Sequence, residues 1–341
     1  MKILCELETS NSPHLYQLYT GFARLHENGI IDLKLKKSNN QDSFYKPIVR
    51  LKINKKINVI YDLLDGFNWI SGSKDDNLMH FKNEFKNVDY YFKRSYNKEL
   101  LNYSPTGCSI FPLGLFYREN QPDCFKNSVS FKTRQVLDIL KIKKIKHKKN
   151  QYVAPPIIEE LNAMLFTRLW DPQQVSDTKQ KEERIQINTN RIEAIEACRK
   201  EFKDRFYGGL SNSVLAKKEA AQLILPDSHT NRKNYLKRVK STPICIVNTG
   251  LHNSIGGRFA EAVAASRAII SEPLHYDPTG DFLKDKNYLT FTNTSQLLEK
   301  VDALLSNKNK TQQMMLKNYF YYNNYLKPEQ LVLNTIIKIY E

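Results

Sequence analysis

The chain has 341 residues, of which 41% are hydrophobic and 11% aromatic, which excludes a disordered chain and exceeds what one core usually serves. Two domains are therefore expected. The formal net charge is +16, and residues 1–150 hold most of the surplus, with 26 Lys and Arg against 15 Asp and Glu. A surface of that sign attracts phosphate-bearing partners, whether a nucleotide, an anionic lipid headgroup or a nucleic acid.

Met1 runs straight into a strand-like segment, residues 3–7, and no apolar stretch approaches the roughly 20 residues of a membrane-spanning helix. A cytoplasmic protein with at most peripheral membrane contact is expected. The first half then alternates a helix at 13–27 with strands at 31–35, 58–62, 89–95 and 109–114, a rhythm that predicts a doubly wound parallel sheet. A basic run at 141–150, followed by Pro155 and Pro156, predicts a connection. The pattern restarts after it, with strands at 163–169, 205–210 and 244–247 and a long helix at 183–203. A helix at 257–266, strands at 268–271 and 288–291, and a helix at 295–305 complete a second layer. The tail, 311–340, is helical with a break at Pro328 and is long enough to cross back to the first domain. The expected domains are 1–155, 156–320 and a returning helix in 321–341. The five cysteines show no C-x-x-C spacing, which excludes a structural zinc module or a disulfide framework.

Most of the chemical information lies in residues 243–273. A strand ends, a loop carrying Thr249, Gly250 and Ser254 follows, and Gly256-Gly257-Arg258 hands over to a helix. Such a corner turns free backbone amides toward the crevice at the strand's carboxyl end, where the helix dipole favours an anion. The glycines let the backbone approach a phosphate, and Arg258 adds a fixed cation. The helix continues through Glu261-Ala262 to a small-residue turn, 264–267, and an apolar strand, Ala268-Ile269-Ile270-Ser271.

This succession resembles the nucleotide-sugar site of the GT-B glycosyltransferases of the bacterial group 1 type. The resemblance spans most of the chain but is specific only in 243–273. It implies an α/β fold of two Rossmann-like doubly wound domains facing a central cleft, with the C-terminal helix crossing back to the first. It also implies that Glu261 accepts hydrogen bonds from the ribose hydroxyls and that a basic side chain after the first strand of the second domain, here Arg168, meets the diphosphate. Gly208, in the Gly-Gly pair at 208–209, is a candidate for the border of the base, with a simple turn as the other reading. The sequence departs from the retaining E-x7-E pattern, because position 253 is Asn. An inverting mechanism or a divergent family is the expectation that follows.

An inverting transfer needs a base for the acceptor hydroxyl and positive charge for the departing diphosphate. Glu8 and His14, in the segment after the first strand, and Asp62 and Asp65, at a later strand end, are the candidates for the base. The chain has no Asp-x-Asp, and the resemblance implies activity without a metal or other cofactor. It further implies a saccharide or lipid-linked saccharide acceptor, in surface polysaccharide assembly such as capsule or lipopolysaccharide, with the basic first half lying against an anionic membrane. A nucleotide-sugar epimerase of the same fold is one rival. A nucleic-acid-binding protein is another, but no zinc module, RNP-type motif or basic heptad region supports it, so no nucleic-acid partner is expected.

Overall fold

The computed structural model describes residues 2–37, 47–126 and 151–341, so the basic run at 141–150 lies outside the described residues. The chain divides into two compact units. One comprises Met1–Lys149, Tyr276–Gly280 and Asn323–Glu341; the other comprises Asn150–His275 and Asp281–Tyr322. Among the described residues no helix is long and apolar enough to cross a membrane.

The first unit is built on six strands: β1 (Ile3–Thr9), β2 (Ile31–Lys37), β3 (Ile48–Ile53), β4 (Ile57–Asp62), β5 (Tyr90–Lys93) and β6 (Ser109–Pro112). Their order is β2-β1-β3-β4-β5-β6. The sheet is not wholly parallel as its rhythm predicts, because β3 runs antiparallel to both β1 and β4. Asn54 and Lys55, with φ of 49° and 60°, fold β3 back onto β4 in a tight hairpin, a conformation that Asn tolerates well. Alternate residues of β3 are buried, so Arg50 and Lys52 point out while Val49, Leu51 and Ile53 enter the core.

Helix α1 (Tyr16–Glu27) and the C-terminal helix, here α8 (Pro328–Tyr340), close one face of this sheet. Gly21 permits their contact, since a Cβ there would stand 2.2 Å from the Pro328 carbonyl oxygen. Leu331, Val332 and Ile336 sit in the same core as Leu7, Leu18 and Phe22, and Tyr61 and Thr335 share a hydrogen bond of 2.8 Å. The last helix is thus an integral part of the first unit. On the opposite face, α2 (Lys74–Glu84) starts with a capping box in which Ser73 and Asp76 satisfy each other's backbone amides.

The second unit has five parallel strands: β7 (Ala163–Thr167), β8 (Phe206–Leu210), β9 (Ile244–Val247), β10 (Ala268–Ser271) and β11 (Tyr288–Thr290). Their order is β8-β7-β9-β10-β11. Strands β7, β9 and β10 are buried at every residue, as central parallel strands covered on both faces must be. The longer helices are α3 (Thr178–Phe202), α4 (Arg232–Ser241), α5 (Gly257–Ala264), α6 (Thr294–Leu305) and α7 (Lys308–Tyr321). Counted within the unit, the order is 2-1-3-4-5, one of the two common doubly wound arrangements. Both units are therefore α/β layers with flanking helices, and the chain order of the second reverses between β7 and β9.

Candidate functional site

Where the order reverses, the crossovers leave neighbouring strands in opposite directions and a crevice opens at their carboxyl ends. A cavity of about 350 Å³ lies there, lined by the end of β7, the end of β9 and the first turn of α5. Gly256 is the N-cap of α5 without a side-chain cap bond, so the first amides of the helix have no intrahelical acceptor and line the cavity through Gly257 and Arg258.

Three guanidiniums converge on this space. Arg168 stands just past β7 with its guanidinium 3.9 Å from the centre of the Trp170 ring. Arg258, from the first turn of α5, donates to the main-chain oxygen of Phe166 and lies 5.2 Å from the Tyr235 ring. Arg191 comes from the middle of α3 and is only 5% exposed. It donates to the main-chain oxygens of Arg168 at 2.6 Å and Thr249 at 3.0 Å, joining the loops that follow β7 and β9.

These charges repel one another. Burial pushes the Arg191 pKa down to about 10; the nearby Glu272 carboxylate opposes that shift, and Arg258 and Arg168 add to it. Arg168 is lowered as well, by partial burial first and by Arg258 second. Among the described residues Glu261 is the one carboxylate lining the cavity, and it already faces Arg232 at 3.0 Å. The cavity is therefore cationic. Four buried polar atoms on its lining residues, Trp170 Nε1, Arg191 Nε, Asn248 Oδ1 and Glu261 Oε2, have no hydrogen-bond partner among the described residues. A polar, anionic guest answers both facts.

Of the residues picked from sequence, the structure brings Arg168, Gly250, Gly256, Gly257, Arg258 and Glu261 together on this cavity. Glu261 is 4% exposed, on the inner face of α5, with the Tyr235 ring beside it. Burial, and then the Glu261 charge, raises the Tyr235 phenol well above its usual pKa. Asp171 Oδ1 takes the Gln173 amide at 2.9 Å.

Three picks need correction. Gly208 lies inside β8, outside the cavity lining, and a Cβ there would stand 2.3 Å from the Phe206 ring; close packing, not a ligand, requires glycine. Thr249 gives its amide and hydroxyl to Glu272 Oε2 at 2.7 and 2.6 Å, and it borders a neighbouring hollow of about 470 Å³ along with Asn253. Ser254 is buried and shapes the loop, its main-chain oxygen accepting the Gly250 amide at 2.8 Å. His252 and Asn253, with φ of 57° and 55°, place two successive left-handed residues in that loop.

In the first unit, Glu8 lies within β1, opposite Lys36 of β2, and not in the loop that follows. Asp62 is fully enclosed. It accepts from Tyr91 OH at 2.5 Å, Trp69 Nε1 at 2.8 Å and the Leu64 amide at 2.8 Å, and it pairs with the buried Lys93 at 3.2 Å. A carboxylate so enclosed cannot meet an acceptor, which corrects its candidacy as a base. Asp65 and His14 remain accessible and fall in one cluster. Asp65 pairs with Arg94 at 2.9 Å, the Arg94 guanidinium lies 5.2 Å from the Phe116 ring, and the His14 ring is 5.1 Å from the same ring.

Sequence reasoning missed Arg191, Arg232, Tyr152 and Tyr235. Arg191 sits in a helix so charged on every side that its sequence carries no signal to separate it from solvated neighbours.

Neither a protein-family model nor a curated protein sequence matches the chain. Among solved structures it is similar to Alr3699/HepE of Anabaena, solved in complex with UDP, at 12% identity and a TM-score of 0.49, over 99% of each chain. It is also similar to the C-terminal domain of the glycosyl transferase group 1 family protein LpcC of Francisella tularensis, at 15% identity and a TM-score of 0.32, over 55% of this chain and 97% of that one. For sucrose-phosphate synthase of Thermosynechococcus elongatus the values are 11% and 0.43, over 82% and 66%.

Proposed function

We propose that the chain is a glycosyltransferase whose donor is a sugar carried on a nucleoside diphosphate, bound in the cavity of the second unit. The observation that supports this reading is the set of three guanidiniums, Arg168, Arg191 and Arg258, around one cavity at the switch point, beside the open end of α5. Two adjacent phosphates match that charge, and the buried Glu261 is placed on the same cavity to accept from sugar hydroxyls.

The chemistry follows from those charges. The acceptor's hydroxyl oxygen bonds to the anomeric carbon, the bond from that carbon to the diphosphate oxygen breaks, and the hydroxyl proton passes to a base. The guanidiniums and the α5 amides stabilise the negative charge that grows on the departing diphosphate. They are fixed before the reaction begins, so no metal is required for that task. His14 is our choice for the base, with Asp65 beside it; crowding of its ring, then Arg94 and Arg118, hold its pKa below the usual value, with Asp65 acting against them. Glu8 is the second choice. The reaction is inverting in this reading, and the acceptor is a saccharide or lipid-linked saccharide of a surface polysaccharide. The cationic first half is the side that would face an anionic membrane.

Calorimetric titration with UDP, GDP, CDP and dTDP, in buffer containing a chelator, tests the donor reading. At least one should bind at micromolar concentration or tighter and should lose affinity in Arg258→Ala. Absence of binding by all four, or binding that the chelator abolishes, would overturn it. Sugar transfer to an acceptor, as opposed to release of an isomerised nucleotide sugar, separates a transferase from an epimerase.

A further inference from the structure

The two oxygens of the Glu261 carboxylate have unlike surroundings. Oε1 takes Arg232 Nη2 at 3.0 Å and has the Tyr152 hydroxyl 3.5 Å away, so a cation and a phenol occupy the space in front of it. Oε2 is buried and has no hydrogen-bond partner among the described residues. The Arg232 side chain is 42% exposed and is flanked by two aromatic rings. The residue begins α4 directly after the capping Asn231, and its guanidinium lies 5.0 Å from the Tyr152 ring and 5.7 Å from the Tyr235 ring. A sugar hydroxyl brings no charge of its own, whereas the guanidinium adds charge–charge attraction to its hydrogen bond, so the hydroxyl does not displace it from the carboxylate oxygen.

We propose that Arg232 is a specificity-determining residue that reduces Glu261 to a single acceptor, so that the site reads one of the two vicinal hydroxyls of the donor's ribose and tolerates its loss at the other carbon. The inference rests on the reading of the cavity as a nucleoside-diphosphate site. A carboxylate with both oxygens open would take both hydroxyls and reject either deoxy form. Here only Oε2 is open, so one deoxy form is accepted.

The test is calorimetric titration of the native protein, in chelator, with UDP, GDP and CDP and with the 2′-deoxy and 3′-deoxy forms of whichever binds, dTDP serving as a 2′-deoxy form in its own right. One deoxy form should bind within about twofold of the parent, and the other should be weaker by about tenfold or more, the loss of a bond to a charged group. In Arg232→Met both deoxy forms should weaken, whereas Arg232→Lys, which keeps a cation on Oε1, should preserve the native pattern. The native comparison needs no variant to fold. Equal weakening of both deoxy forms, weakening of neither, or a native pattern in a folded Arg232→Met would each overturn the role of Arg232. Failure of UDP, GDP, CDP and dTDP alike to bind would instead overturn the donor reading, and this inference with it.

Discussion

Arg191 reaches the main-chain oxygen of Thr249 at 3.0 Å from a helix whose own first turn is thirteen residues away in sequence. Its second bond, to the Arg168 oxygen at 2.6 Å, ties the loop after β7 to the loop after β9 across the switch point. One side chain thus sets the width of the crevice and supplies charge to it.

Replacing Arg191 should therefore act twice. Arg191→Met should lower nucleoside-diphosphate affinity and also lower the melting temperature, since two partly buried carbonyl oxygens lose a charged donor worth up to about 1.5–3 kcal/mol each. Arg191→Lys should rescue little, because an ammonium cannot span both oxygens as the planar fork does. Calorimetry and thermal melts of both variants decide the matter; a Lys variant that binds and melts like the native protein would count against the bridging role.

The two glycine pairs should behave in opposite ways. A Cβ on Gly208 meets the Phe206 ring at 2.3 Å and the Leu165 oxygen at 3.0 Å, so Gly208→Ala should destabilise by about 1–3 kcal/mol. The nearest atom to a Cβ on Gly256 is 3.9 Å away and φ there is an ordinary −65°, so Gly256→Ala should leave stability within about 0.5 kcal/mol. If phosphate oxygens approach the amides at that corner, the added methyl should nonetheless weaken diphosphate binding. Urea denaturation paired with titration separates the two; a destabilised Gly256→Ala that still binds would reverse the assignment.

These pairs also show what could be read in advance. Strands β9 and β10 match their expected bounds residue for residue, because buried central strands are unbroken apolar runs closed by turns. Strand β3 is hidden in the sequence because Arg50 and Lys52 alternate with its core residues and look like part of a basic surface. Gly256-Gly257 and Gly208-Gly209 look alike as dipeptides, and only their neighbours in space tell a helix start from a packing contact. Arg258 and Glu261 are legible from the strand–turn–helix corner, whereas Arg191 reaches the site from 58 residues before Thr249, and Arg232 and Tyr152 from 29 and 109 residues before Glu261.

Asp62 should matter for folding and not for catalysis. Removing its charge in Asp62→Asn leaves Lys93 buried beside an amide, and breaking such a pair typically costs about 3–5 kcal/mol. The Tyr91 and Trp69 donors lose a charged acceptor in the same step. Chemical denaturation should show the loss, and the folded fraction should keep native donor affinity. A variant of native stability with abolished turnover would restore Asp62 to the list of bases.

His14 carries the clearest pH dependence. Its residue is exposed overall, yet the ring is crowded against Phe116, and that crowding, with Arg94 and Arg118, depresses its pKa below the ordinary 6.5 while Asp65 opposes them. The folded protein then binds fewer protons than the unfolded chain between the two values, so stability rises with pH across that window. The contribution is complete above about pH 6.5 and is lost as pH falls through the lower folded value. The same depression keeps the imidazole neutral at pH 7, the state a base requires, and sets the acid limb of the kcat/KM profile below pH 6.5. Melting the native protein and His14→Asn between pH 7.5 and 5 should show a steeper acid loss in the native protein. Parallel curves would remove the linkage, and an acid limb unchanged in His14→Asn would pass the role of base to Glu8.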